Sequence, residues 1–216
     1  MHTALELLSA EGLDAVTMRR VGQALDTGAA SLYAHVRDKA ELRELMLDEV
    51  LRAVEVPAPD PDHWAEQLKQ ISLAMVEVMS AHPGIGRIAL ETLIPTTPHI
   101  VDQMDRLLGI LRAGGLDDRD VLAGSNAIAL YVAAGAYERG LRSIQGAADE
   151  ANLRIDRIRE YLAVVPADRL PHLAALAPIM SQQNDGLELG LDLLIAGLAS
   201  RAPTGVKNAQ QGQDHH

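Results

Sequence analysis

The stretch of sequence that decides the fold is VTMRRVGQALDTGAASLYAHVRDKAELRELMLDEVL, residues 16–51. Its apolar residues recur every three to four positions, which is the spacing of one face of an α-helix. Thr17 is the predicted N-cap of a helix that reaches about Leu25, with Met18, Val21 and Leu25 facing inward. The same periodicity continues along the chain and strand patterns are absent, so the sequence predicts an all-α fold.

Two more helices are predicted within this stretch. A turn at residues 26–28 leads into a short helix over residues 29–36. Asp38 then precedes Glu41 by three residues, which predicts a capping box and a longer helix that reaches about residue 54. The stretch therefore predicts three helices in close succession.

The shortest of these helices has an outer face made of small residues. Leu32 and Val36 are expected to be buried, which places five residues on the opposite face: Ala29, Ala30, Tyr33, Ala34 and Arg37. A helix with small outward residues can enter the major groove of DNA closely, while the preceding helix crosses the backbone. This is helix-turn-helix geometry. The alternatives are that Tyr33 is a partly buried aromatic residue and that His35 is only a cation near a helix C-terminus.

The charge of this stretch favours an anionic partner. The whole chain of 216 residues has a net charge of −11, whereas residues 17–39 carry four basic residues against two acidic ones. Arg19, Arg20 and Lys39 lie in the first turns of two helices, where the helix dipole disfavours a cation by about 0.3–1 kcal/mol. A phosphate docked at these helix starts would remove that penalty. Solvated surface charges are the alternative interpretation.

The composition excludes several classes of protein. With 48% hydrophobic residues, the chain can form a core. It has no cysteine, which excludes disulfides, iron–sulfur clusters and cysteine zinc sites. The longest apolar run, residues 127–136, is about half the ~20 residues that a membrane span needs. The first residues, MHTALELLSAEG, do not have the pattern of a signal peptide, so we expect a cytoplasmic protein.

The rest of the chain predicts a second, larger helical domain. The proline-rich residues 56–62 predict a linker, and residues 146–161 are too weakly patterned to assign. The other predicted helices cover approximately residues 3–11, 64–81, 85–93, 100–112, 118–144, 166–180 and 186–199. We therefore expect a DNA-binding domain at 1–54, an effector-binding and dimerisation domain at 55–200, and a flexible tail at 201–216.

Residues 16–51 resemble the DNA-binding segment of the TetR family of transcriptional repressors. The pattern Thr-x-Arg, followed by Leu-Tyr-x-His-Val-x-x-Lys-x-x-Leu, carries the resemblance. Trp64–Thr92, Tyr137-Glu138 and Leu189–Leu198 also resemble the effector domain of the tetracycline repressor. The family resemblance implies a homodimer that binds a palindromic double-stranded DNA operator and a small-molecule effector.

The resemblance also implies which residues touch DNA. Four match positions that mainly contact phosphate in the family: Arg19, Tyr33, His35 and Lys39. Ala29 and Ala30 match base-reading positions. Together with their neighbours, the candidate DNA-binding residues are Thr17, Arg19, Arg20, Ala29, Ala30, Ser31, Tyr33, Ala34, His35 and Lys39.

Two features depart from the family pattern. The turn usually contains Gly followed by a β-branched or aliphatic residue, whereas this chain has Asp26-Thr27-Gly28, so we expect an altered turn geometry. The chain also begins close to the first helix, without the basic arm that many relatives carry. We therefore expect a modest DNA affinity that depends strongly on salt.

A dimer interface is predicted from two segments rich in small residues. Residues 127–136 are apolar all round, and the last helix contains Gly186, Gly190 and Gly197 among leucines. Small residues allow helices to approach closely, and two such helices per subunit would form a four-helix bundle across a dyad. An intramolecular core is the alternative interpretation of both segments.

An effector pocket is expected inside the second domain. Its expected apolar walls are Met75, Met79, Ile88, Leu93, Met104, Leu107 and Leu108. Its polar candidates are Thr92, Asn126, Tyr131, Tyr137 and Glu138. Such a lining suits a largely apolar organic ligand, although residues of these types more often belong to a core.

The tetracycline repressor holds a drug–magnesium chelate with the help of a metal-ligating His and a Glu. Thr92 and Glu138 match its pocket residues, but Ala89 occupies the position of the metal-ligating His. We therefore expect no metal site, no cofactor and no binding of tetracycline–magnesium.

Catalytic signatures are absent from the sequence. It contains no Gly-x-Ser-x-Gly, no P-loop, no Gly-x-Gly-x-x-Gly and no His-x-x-x-His pair. Glu91 and Glu138 could form a carboxylate pair, but so could any two acidic residues of the chain. We predict that the chain is not an enzyme but a ligand-responsive, sequence-specific transcriptional repressor, released by an apolar organic effector that changes the angle of the fourth helix. A helical small-molecule-binding protein without DNA function is the alternative.

Overall fold

The computed structural model describes residues 1–27, 29–144, 146–166, 168–180 and 186–202. Over these residues the chain forms eleven α-helices and no β-strand, which confirms the all-α prediction. The helices are α1 His2–Glu11, α2 Met18–Ala24, α3 Ala29–Tyr33, α4 Lys39–Leu51, α5 Trp64–Ser80, α6 Ile85–Glu91, α7 Pro98–Ala113, α8 Asp118–Arg142, α9 Ala147–Val164, α10 Pro171–Met180 and α11 Gly186–Ala199. The predicted turn residue Gly28 and residues 203–216 of the predicted tail lie outside the described residues.

Local hydrogen bonds start α2 and α4 where the sequence predicts. The Thr17 hydroxyl accepts a hydrogen bond from the backbone N–H of Arg20 at 3.1 Å. The Asp38 carboxylate accepts one from the N–H of Glu41 at 2.9 Å. The Glu41 carboxylate in turn accepts from the N–H of Arg37, one residue before the cap, at 2.5 Å. Both predicted N-caps are confirmed, because each uses a partner three residues away.

The turn between α2 and α3 differs from the expected packing. Met18 and Val21 are buried, but Leu25, predicted to face inward, is 45% exposed. The reason is that α2 ends at Ala24 and Asp26 turns the chain away with a positive φ of 53°. An aspartate tolerates this left-handed conformation better than most residues, and it provides the turn that glycine usually provides.

Helix α4 connects the first three helices to the rest of the molecule. Leu42 and Met46 are fully buried in the core, and Val54 and Val56 remain buried beyond the end of the helix. The long helix α8 lies at the centre of the remaining helices and packs against α5, α6, α7 and α11. Helix α6 approaches α8 closely at Gly86, where a Cβ atom would lie 2.4 Å from the backbone nitrogen of Tyr137.

Helices α8 and α11 pack against each other within one chain. Two α8 glycines make room for leucines of α11, Gly124 for Leu198 and Gly135 for Leu187, at distances that leave no space for a Cβ atom. Part of the small-residue pattern therefore serves intramolecular packing. Large apolar side chains remain exposed on the outer faces of the two helices: Leu122, Leu130, Leu189 and Leu193.

The weakly patterned segment after residue 146 forms α9, an 18-residue helix that the sequence left unassigned. Its apolar side chains are largely exposed, Leu153 at 52% and Ile158 at 39%. Helix α10 begins at Pro171 rather than at residue 166. None of the described helices is long and apolar enough to cross a membrane.

Candidate nucleic-acid interface and sensor site

Helix α3 presents the predicted face to solvent. Leu32 packs against the core, whereas Tyr33 is 55% exposed. Four further candidates on or just after this helix are exposed: Ala30, Ser31, Ala34 and His35. Ala29 is the first residue of α3, and the structure does not describe its side chain. The exposed face combines small side chains with one aromatic ring, so a helix of this shape fits a DNA groove.

The cations around α3 differ in their partners. Arg20 donates from Nε to Glu11 at 3.1 Å and pairs with it again through Nη2. The Arg37 guanidinium lies 3.1 Å from the Glu41 carboxylate. Among the described residues, the ion pairs do not involve Arg19, which is exposed, or Lys39, the first residue of α4. Arg19 and Lys39 are therefore the cations most available to a phosphate.

The two paired cations stabilise the charged forms of their partners. The hydrogen bond with Arg20 lowers the pKa of Glu11, and the same bond raises the pKa of Arg20. Hydrogen bonds from the backbone and side chain of Arg37 lower the pKa of Glu41. Both pairs are exposed, so a phosphate can compete with each carboxylate for its cation at a modest cost.

The predicted sensor residues differ in their burial. Met79 and Ile88 are buried in the core, and Met75 and Leu108 are half-buried against it. Met104 is 44% exposed, and Asn126 and Glu138 are exposed, the latter paired with Arg142 at 2.6 Å. Tyr137 is half-buried on α8, and the Tyr131 hydroxyl donates toward the carbonyl of Leu187 at 3.0 Å, on the α11 side.

A cleft of about 590 Å³ lies between α4 and the end of α6. It includes three of the predicted pocket residues, Ile88, Thr92 and Leu93, although Leu93 is 91% exposed rather than part of an interior wall. Its charged lining comes from Lys39, Arg43, Glu44 and Glu91, and the side chains of Arg43 and Glu91 pair at 2.7 Å. Hydrogen bonds from Arg87, with a smaller contribution from Arg43, lower the pKa of Glu91.

The sequence did not identify the contacts that α4 makes with α7. Glu44 and Asp48, one helical turn apart on α4, accept hydrogen bonds from residues at the start of α7. Asp48 is only 4% exposed and also pairs with Arg52 at 2.8 Å. Burial raises the pKa of Asp48, but hydrogen bonds from Thr97 and Arg52 outweigh it and hold the pKa below its ordinary value. The one sequence feature that could have indicated this contact is the position of Asp48, an acidic residue on the apolar face of α4.

The described residues contain no cluster of three His, Asp or Glu side chains that could hold a metal ion. Ala89, at the position that matches a metal-ligating histidine in the resemblance, is half-buried and offers no ligand atom. A magnesium chelate would therefore find no protein ligand at this position.

Comparisons with known proteins agree over most of the chain. Residues 1–46 match the protein family described as bacterial regulatory proteins, tetR family, and residues 56–202 match the family described as tetracyclin repressor-like, C-terminal domain. The HTH-type transcriptional repressor DrrR1 of Streptomyces coeruleorubidus is 29% identical over 204 residues, which cover 92% of this chain and 75% of that protein. Tetracycline repressor protein class C of Escherichia coli is 26% identical over 201 residues, which cover 92% and 88%.

Solved structures give the same result. ActR from Streptomyces coelicolor in complex with actinorhodin is 42% identical, with a TM-score of 0.84 and a coverage of 95% of both chains. Apo ActR is 41% identical, with a TM-score of 0.82 and a coverage of 93% of this chain and 95% of that chain.

Proposed function

The chain belongs to the tetR family of bacterial regulatory proteins, and from this membership we propose that it is a ligand-responsive transcriptional repressor that binds operator DNA as a homodimer. The family resemblance stated from residues 16–51 is confirmed. The observation that carries the proposal is the solvent-facing surface of α3 between two helix starts that bear Arg19 and Lys39, cations outside the ion pairs of the described residues.

The proposed DNA contacts divide into two kinds. Arg19, Lys39 and the Tyr33 hydroxyl contact phosphate, since these groups lie around the outer face of α3. Ala30 and its neighbours on that face approach base edges, where methyl groups contact thymine but provide little hydrogen-bond information. Phosphate contacts then provide most of the affinity, which makes binding depend on salt.

Two helix-turn-helix units are needed for a palindromic site. The exposed leucines of α8 and α11 supply an apolar surface that a second copy of the chain can cover, which favours a four-helix dimer interface. We place the DNA-binding domain at 1–54 and the effector-binding and dimerisation domain at 55–200. The protein then works in the compartment that holds the DNA, and we propose no catalytic role for it.

The effector is proposed to be a largely apolar organic molecule. ActR, at 42% identity, has been crystallised with actinorhodin, and this compound is therefore the first effector to test. Tetracycline with magnesium is the negative control, and we expect it not to bind because Ala89 provides no metal ligand. Titration of the protein with each compound, followed by calorimetry or by Trp64 fluorescence, distinguishes the two.

The deciding experiment is retardation of DNA from the upstream region of the protein's own gene. We expect specific retardation that excess unrelated DNA does not abolish and that actinorhodin reverses. A protein that binds actinorhodin but retards no upstream DNA would instead support the alternative, a helical small-molecule-binding protein without DNA function.

A further inference from the structure

The cleft between α4 and the end of α6 has an apolar part that the rest of the chain leaves uncovered. Ile88 lines the cleft and is buried, whereas Leu93 and Ile94 line it and are 91% and 78% exposed. Adjoining apolar side chains that stay exposed beside a cleft are typical of a surface that binds another molecule. The cleft has a volume of about 590 Å³, which is within the range of small-molecule sites.

The two carboxylates of the cleft already have donors. The Glu91 carboxylate pairs with Arg43 and with Arg87, each at 2.7 Å. The Glu44 carboxylate accepts a hydrogen bond from the backbone N–H of Thr97 at 2.9 Å. Neither carboxylate is left as an unpaired anion, so the cleft does not favour a cationic ligand.

The two cations of the cleft retain unused hydrogen-bond donors. Nε of Arg43 is buried and has no hydrogen-bond partner, and the side chain as a whole is only 18% exposed. Lys39 is half-buried, and the ion pairs among the described residues do not involve it. A buried N–H without an acceptor is costly, so a ligand that supplies the acceptor gains free energy. Donors in excess of acceptors favour an anionic ligand.

Arg43 can turn toward a ligand without leaving Glu91 unpaired. Nε of Arg87 donates to the Glu91 carboxylate at 2.7 Å, and this bond is the main cause of the lowered pKa of Glu91, with a smaller contribution from Arg43. The guanidinium of Arg43 is therefore the second of two partners. A ligand carboxylate can accept from its Nε and from one Nη in a bidentate pair.

We propose that this cleft is a binding site for a small amphipathic carboxylate of the medium-chain fatty acid type, held by Arg43 through its carboxylate and by Leu93 and Ile94 through its hydrocarbon chain. The site differs from the interior pocket expected in the second domain, since the lining of the cleft includes neither Met79 nor Leu108.

The position of Lys39 gives the site a consequence for DNA binding. Lys39 and Arg43 are four residues apart, so they share one face of α4. Lys39 is also one of the cations assigned to a DNA phosphate, and an anion bound beside it lowers the positive potential that the phosphate meets. The ligand then competes with DNA for a cation, without any change in helix packing. This competition rests on the proposed function, whereas the binding site itself does not.

Calorimetry in the absence of DNA tests the site with octanoate as the probe, below its micelle concentration. The matched probe is octanol, which has the same chain length but no charge. We expect octanoate to bind the wild type about tenfold more tightly or better, because only the carboxylate gains the charge-assisted pair. Equal affinities, tighter binding of octanol or no binding of octanoate would overturn the proposal.

Two pairs of variants locate the bound octanoate. Arg43→Gln should weaken its binding by about tenfold or more, whereas Arg112→Gln, which removes an arginine paired with Asp118 at 2.6 Å outside the cleft, should not. Leu93→Ser should weaken binding by about threefold or more through lost apolar contact, while Leu25→Ser, at an exposed leucine outside the cleft, should not. Equal losses in Arg43→Gln and Arg112→Gln would show unspecific binding and overturn the site.

Retardation of operator DNA with and without octanoate tests the competition. We expect saturating octanoate to weaken operator binding of the wild type by about fivefold or more and to have no effect on Arg43→Gln at the same concentration. A wild type that binds octanoate through Arg43 but retards no operator supports the site and overturns the proposed function. A wild type that retards operator without binding octanoate through Arg43 overturns the site alone. Operator binding that bound octanoate leaves unchanged overturns the competition.

Discussion

The guanidinium of Arg20 on α2 is paired with the carboxylate of Glu11 on α1, through Nε at 3.1 Å and through Nη2. The Glu11 carboxylate therefore neutralises a cation of the proposed DNA-binding domain. We expect Glu11→Gln to release Arg20 for a phosphate, to tighten operator binding and to steepen the plot of log Kd against log salt by about one unit. Fluorescence anisotropy at several salt concentrations measures both quantities. Unchanged affinity and slope would show that Arg20 does not reach the DNA.

Tyr33 and Lys39 are expected to contribute to operator binding in different ways. Lys39→Ala should weaken binding to all sequences and reduce the salt slope by about one, because one phosphate contact is lost. Tyr33→Ala should weaken operator binding with a smaller effect on the slope, since the hydroxyl is uncharged. Arg112→Ala, which removes an exposed cation on α7, is the control and should leave binding unchanged. Wild-type gel shifts for both Tyr33→Ala and Lys39→Ala would contradict the assignment of α3 as the recognition helix.

Asp26 stores a small conformational cost in the turn between α2 and α3. Its φ of 53° lies in the left-handed region, where a residue other than glycine costs about 1–2 kcal/mol. We expect Asp26→Gly to preserve or raise the thermal unfolding midpoint and Asp26→Val to lower it, because a β-branched residue is strongly disfavoured there. Thr27→Val places the same side chain one position later and loses only the 3.4 Å hydrogen bond from the Thr27 hydroxyl to the Gly22 carbonyl, so it should lower the midpoint less than Asp26→Val does. Equal midpoints for Asp26→Gly and Asp26→Val would argue against the turn geometry.

Most of the helices could be predicted because their signals are local. Thr17 and Asp38 cap α2 and α4 through partners three residues away, and the predicted range of the last helix, 186–199, matches α11. The exposure of Leu25 was not predicted, because periodicity alone gives no information about the end of α2. Helix α9 was missed because charged residues are frequent along its sequence and weaken its apolar periodicity.

The contacts between residues of different helices could not be predicted from the sequence. Glu44 and Thr97 are 53 residues apart, and only the packing of α4 on α7 brings them together. Likewise, the ion pair of Arg20 with Glu11 could not be distinguished from a solvated cation by its position in the helix. The outer face of α3 was predictable from Leu32, which packs against the core, and from Val36, which is buried just after the helix ends at Tyr33.

The buried carboxylate of Asp48 should make stability depend on pH in the acid range. Its pKa is held below the ordinary value of about 4, so its contribution is complete above that pH and is lost as the pH falls through the lowered pKa. At neutral pH we expect Asp48→Asn to reduce the free energy of unfolding by about 1.5–3 kcal/mol, as for a hydrogen-bonded charged group. Urea unfolding of both proteins at several pH values should show this difference shrinking below about pH 4. A difference that stays constant into strong acid would contradict the role assigned to the carboxylate.

The exposed leucines of α11 are expected to form part of the dimer interface. Leu189 is 61% exposed and Leu193 is 67% exposed, one turn apart on the outer face of the helix. Burial of a leucine stabilises by about 1.5–3 kcal/mol, and each substitution acts twice in a symmetric dimer, so Leu193→Asp should weaken dimerisation by at least about 100-fold. Leu25→Asp is the control, because Leu25 is also an exposed leucine but lies in the turn after α2. This variant should remain dimeric. Sedimentation equilibrium at micromolar concentration measures both variants, and a wild type that is monomeric there would remove the basis for two-fold operator recognition.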